Sequence, residues 1–66
     1  MSTSQNQLRL LRLPEVKKRT GLSKSTIYAR IAQGSFPKQV VLGPRIVAWS
    51  EKAINNWIEE QIELFS

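Results

Sequence analysis

Six polar side chains crowd the eight positions from 23 to 30: Ser23, Lys24, Ser25, Thr26, Tyr28 and Arg30. Hydroxyls at the start of a helix, with the backbone N–H groups left free there, suit phosphate oxygens, while longer side chains reach base edges in a major groove. The same residues also have ordinary structural uses. Ser23 is favoured as a helix N-cap, and Lys24 and Arg30 solvate a helix surface. Tyr28 is suited equally to contact and to resting its ring on the core edge. Taken as a cluster directly after a helix-turn junction, the six point to DNA contact. A second group lies further on, where Gly43-Pro44-Arg45 puts a cation just past a turn and Lys38 precedes it. An arginine there suits a backbone phosphate or a minor groove.

The charge distribution agrees with a polyanionic partner. The net charge is +5, and nine of the ten Lys and Arg fall in residues 1–50, where Glu15 is the one acid. Residues 51–66 hold Lys52 against Glu51, Glu59, Glu60 and Glu63. A basic body with an acidic tail fits a polyanion on one side and solvent on the other; simple solubility is the bland alternative. Catalysis has little to work with. The chain has no cysteine and no histidine, which removes thiolate nucleophiles, disulfides, the commonest metal ligand and the usual general base. Glu59 and Glu63 share a helix face but read as its solvated side. No glycine-rich phosphate loop is present. The expectation is a non-enzyme that needs neither metal nor cofactor. No apolar run approaches the roughly 20 residues of a membrane span, so a cytoplasmic, nucleoid-associated protein is expected.

These groups need elements to position them. Sixty-six residues, 41% of them hydrophobic, make one small domain, with residues 9–66 as the folded part and 1–8 as a disordered arm. Leu8 to Leu13 enters extended. Pro14 suits the first turn of a helix running to about Arg19, with Leu13 and Val16 as core contacts and Gly21 ending it. Ser23 caps a second helix over Lys24 to about Gln33, whose Ile27 and Ile31 form the buried stripe, with Leu22 plugging the turn and Gly34 closing the helix. Two short helices joined by Thr20-Gly21-Leu22-Ser23 make a helix-turn-helix. The period then changes, and Gln39–Leu42 and Arg45–Trp49 form a hairpin around a two-residue, Gly-first turn at Gly43-Pro44. Ser50 caps a third helix, about Glu51 to Leu64, with Ile54, Trp57, Ile58, Ile62 and Phe65 as its apolar stripe. Trp49 and Trp57 read as core rather than as stacking platforms for single strands, because so small a domain needs both. The fold class is mainly α with a small β-hairpin, a winged helix-turn-helix.

With the elements in this order the chain resembles the AlpA family of phage-type regulators, small winged domains related in fold to the MerR DNA-binding domain and to excisionases. The residues that carry the resemblance are Arg12-Leu13-Pro14-Glu15-Val16, the run from Thr20 to Tyr28, Gly34-Ser35-Phe36-Pro37-Lys38, Leu42-Gly43-Pro44-Arg45, Trp49 and Trp57-Ile58. Gln39 departs from the pattern where a second proline is common. Ala53-Ile54-Asn55-Asn56 replaces a stretch that usually contains an acid. The resemblance implies a recognition helix reading the major groove from Ser23 to Arg30, a wing at Gly43 to Arg45, and transcriptional control or excision for a prophage or integrated element. Double-stranded DNA is the expected partner, with assembly as a dimer or cooperatively on DNA left open. The other reading is a protein-interaction adaptor or antirepressor that uses the acidic last helix with Leu64 and Phe65.

Overall fold

The computed structural model describes residues 8–65. Its elements run β1 (Leu10–Leu11), α1 (Leu13–Thr20), α2 (Lys24–Gln33), β2 (Val40–Gly43), β3 (Ile46–Ser50) and α3 (Glu51–Phe65). Three helices and a small sheet make the mainly helical winged helix-turn-helix that the spacing predicts. The arm expected over residues 1–8 lies outside the described residues except for Leu8, which is exposed.

Local chemistry sets the helix ends. Pro14 occupies the first turn of α1, where a missing N–H leaves no bond unmade, and the Arg12 carbonyl accepts from the Glu15 and Val16 N–H groups at 3.0 Å each. Gly21, at φ 74°, ends α1, and its N–H donates to the Lys17 carbonyl at 2.8 Å. Such a left-handed residue disfavours any side chain with a Cβ. Thr20 completes the junction, its hydroxyl donating to the Val16 carbonyl at 2.8 Å and accepting from the Leu22 N–H at 3.2 Å. Gly34, at φ 79°, ends α2 in the same left-handed manner.

The sheet differs from the expected two-stranded hairpin in two respects. The entering segment pairs with β3 as a third strand, with Leu10 opposite Ser50 and Leu11 opposite Trp49, so the antiparallel order is β1-β3-β2. The pairing is reinforced beyond the strand, where the Glu51 N–H donates to the Arg9 carbonyl at 2.9 Å. The hairpin turn also shifts by one residue. Gly43 belongs to β2, opposite Ile46 and next to a register shift, and the turn residues are Pro44 and Arg45. Arg45, not Gly43, takes the positive φ, 62°. Proline explains it: its fixed φ suits the second position of a turn, and the type II form then demands positive φ at the third.

Leu11, Val16, Ile27, Phe36, Trp49 and Ile54 form the core, with Leu13, Leu22, Tyr28, Ile31, Val47, Trp57 and Ile58 packed against it. Both tryptophans belong to this body. Trp49 is fully buried and donates its indole N–H to the Pro37 carbonyl at 3.1 Å. Half-buried Trp57 donates to the Ser35 carbonyl at 2.8 Å and meets Phe36 edge-to-face at 4.8 Å. Two indoles thus pin the loop that carries the chain from α2 to the hairpin. The stripe of α3 is buried for only half its length. Ile54 is inaccessible, but Ile62 and Phe65 are 60% and 83% exposed. The 15-residue helix, about 22 Å long at 1.5 Å per residue, runs on past the loop and sheet that cover its first turns.

Candidate nucleic-acid interface

Ser23 caps α2 as the spacing predicts. Its hydroxyl oxygen accepts the Thr26 N–H at 3.2 Å, and its own O–H donates to Thr26 Oγ1 at 2.9 Å. Ser25 Oγ lies 3.3 Å from the same Ser23 oxygen. Three hydroxyls therefore sit together at the amino end of α2, where N–H groups and the helix dipole favour an anion. Ser23, Lys24 and Ser25 are exposed, and Thr26 is half-buried.

Ile27 is fully buried and anchors the inner face of α2. Tyr28 takes the core-edge place, its ring 6.3 Å from that of Trp49 at 65°. Arg30 is half-buried, and its backbone carbonyl accepts from the Ser35 N–H at 2.9 Å and the Ser35 hydroxyl at 3.3 Å, so the side chain leaves from a well-fixed turn. On the outer face Ser25, Thr26, Ala29, Arg30 and Gln33 line one open groove. Ala29 and Gln33 are two residues that the sequence reading passed over. The signal for them was helical spacing alone: both lie one or two turns beyond Thr26 and away from the Ile27–Ile31 stripe. Lys38 is exposed at the base of the hairpin and Arg45 is exposed at its tip. A second cleft lies between the 34–37 loop and α3, but its charged lining is Glu60 alone, which suits no polyanion.

The basic body is less freely available than its composition implies. Arg19 donates to Glu15 Oε2 at 3.1 Å through Nε, to Glu51 Oε2 at 3.1 Å and to Asn55 Oδ1 at 3.3 Å. The hydrogen bond to Glu15, ahead of the contacts with Glu51, holds its guanidinium even further above neutrality than usual. Arg9 reaches the same Glu51 at 3.8 Å. These two cations lock α1 and β1 to the start of α3, and Asn55, in the stretch that departs from the family pattern, serves as one of the acceptors. No ion pair or side-chain hydrogen bond engages Lys24, Arg30, Lys38 or Arg45 among the described residues. Among the described residues no cluster could hold a metal ion, and no helix is long and apolar enough to cross a membrane.

Residues 9–62 match the family model described as "Prophage CP4-57 regulatory protein (AlpA)". The chain belongs to the AlpA family. Among relatives, it is 48% identical over 56 residues to "Uncharacterized protein ORF88" of Enterobacteria phage P4, an alignment covering 85% of this chain and 64% of that protein. The chain thus spans less than two thirds of that relative's length. It is also 34% identical over 67 residues to the "DNA-binding transcriptional activator AlpA" of Escherichia coli (strain K12), covering 92% of this chain and 96% of that one. The matched region takes in every AlpA-family element described above, from the first strand through most of α3.

Proposed function

We propose that this AlpA-family protein is a sequence-specific double-stranded DNA-binding regulator of transcription for a prophage or integrated element, acting in the cytoplasm on the nucleoid. The observation that carries the reading is the outer face of α2, whose hydroxyl-capped start is followed by an open groove that holds the unpaired Arg30 and no acid among its lining residues, with the exposed, unpaired Lys24 in the first turn of the same helix. The name of the Escherichia coli relative points the same way. In this mechanism α2 enters the major groove, with Ser23 and Ser25 on phosphate and Arg30 toward base edges, while Arg45 at the wing tip meets the adjacent backbone. No bond is made or broken, so the protein acts by occupying or bending its site. A role as excisionase uses the same surface, and the two differ in where the site lies.

The test is a footprint on the DNA of the element that carries the gene. A protected site overlapping a promoter supports regulation, and one confined to an attachment site supports excision. Binding that shows neither protection nor the steep salt dependence of phosphate contacts refutes the proposal and leaves the adaptor reading.

A further inference from the structure

We infer that Gln33 and Ala29 are the principal base-reading residues of α2, and that they select two closely spaced A·T pairs in the major groove. The inference rests on the DNA-binding reading above and goes beyond it by naming the residues and the base class.

Thr26, Ala29, Arg30 and Gln33 all line the outer groove of α2. Their spacing is i, i+3, i+4, i+7, the spacing with which a homeodomain recognition helix presents its base-contacting side chains. The four are not equally free. The Thr26 hydroxyl is engaged by Ser23 in the cap, so its first duty is to hold the helix start. Arg30 is half-buried and lies nearer the flank than the crest. Ala29 and Gln33 are exposed, and the Gln33 amide bonds to no other described residue. What remains at the crest is one small methyl and one unpartnered carboxamide.

Those two groups have defined counterparts on a base pair. A glutamine carboxamide pairs with adenine by donating to N7 and accepting from the N6 amino group, and an alanine methyl packs against the C5 methyl of thymine. The small side chain of Ala29 also lets the helix backbone approach the groove floor, which brings Gln33 within reach. Four residues of helix advance about 6 Å, and base pairs rise about 3.4 Å. The thymine read by Ala29 and the adenine read by Gln33 therefore fall about two base pairs apart.

The experiment is selection from a randomised duplex pool with the full chain, run in parallel for the wild type, Gln33→Ala and Gln33→Arg, with melting curves to verify folding. Gln33 is exposed at the end of α2, so both variants are expected to fold. The wild type should enrich a motif containing an adenine that Gln33→Ala accepts less strictly, by about 5- to 150-fold. Gln33→Arg should convert that position to guanine, because arginine forks onto O6 and N7 of that base. Replacing thymine by deoxyuridine two base pairs away should weaken the wild type by removing the methyl that Ala29 contacts. If both Gln33 variants enrich the wild-type motif unchanged, the inference fails and DNA binding stands. If the wild type enriches no motif at all, the DNA-binding reading falls with it.

Discussion

Truncating Trp57 to alanine tests how the end of α2 and the loop after it are held. The indole does two things: its N–H donates to the Ser35 carbonyl at 2.8 Å, and its ring meets Phe36 edge-to-face at 4.8 Å. Replacing a core aromatic by alanine typically costs about 3–5 kcal/mol. Trp57 is half-buried, and the Ser35 carbonyl it leaves is exposed and open to water, so the cost belongs at the lower end, about 3 kcal/mol. Of this, about 0.5–1.5 kcal/mol is the ring pairing with Phe36 and about 1 kcal/mol the hydrogen bond. A domain of this size rarely holds more than about 3–5 kcal/mol. Trp57→Ala should therefore keep only about 0–2 kcal/mol and be marginally stable to half unfolded, whereas Trp57→Phe should lose about 1 kcal/mol and keep a cooperative transition. Urea titration followed by circular dichroism at low temperature reads both. A Trp57→Ala protein that melts within about 0.5 kcal/mol of the wild type refutes the reasoning. If it then no longer binds DNA, Trp57 is a contact residue and not the pin of the 34–37 loop.

Other perturbations follow from the same geometry. Lys24→Ala should reduce the slope of log affinity against log salt by about one unit, and Arg30→Ala should cost about 1–3 kcal/mol of specific affinity; titrations at several salt concentrations distinguish them, and unchanged affinity in both moves the contact surface elsewhere. Arg45→Gly should raise stability by about 1 kcal/mol, because glycine adopts the φ of 62° without strain, while weakening binding to all sequences alike; a drop in melting temperature contradicts the turn assignment. Arg19→Met cuts the links to Glu15, Glu51 and Asn55 and should lower the melting temperature modestly, because solvent screens such pairs. Its cost should shrink in 1 M salt, and a salt-independent loss assigns the effect to packing of the arginine stem instead.

The helices and their ends were legible in the residues because their determinants are local. A cap such as Ser23 acts on the N–H three residues ahead, and Gly21 and Gly34 act on carbonyls three or four residues behind. Proline restricts the first turn of α1 without reference to anything distant. The buried stripe of α2 and the core places of Val16, Trp49 and Ile54 likewise follow from periodicity. Contacts between distant segments were a different matter. Leu10–Leu11 is too short to announce itself as a strand, and its pairing with β3 depends on where the rest of the chain leaves an open edge. The last turns of α3 continue an apolar pattern that the body is too small to cover, so Ile62 and Phe65 face solvent. Composition counted Arg9 and Arg19 among the cations open to a polyanion, but folding brings Glu51 to both. The outer crest of α2 lay between these cases. Its residue types were in plain view, yet Ala29 and Gln33 became distinct only once Tyr28 was turned onto Trp49 and Thr26 was tied into the cap. Hydrogen bonds within a turn are decided by neighbours along the chain, and exposure is decided by which surfaces the fold can bring against one another.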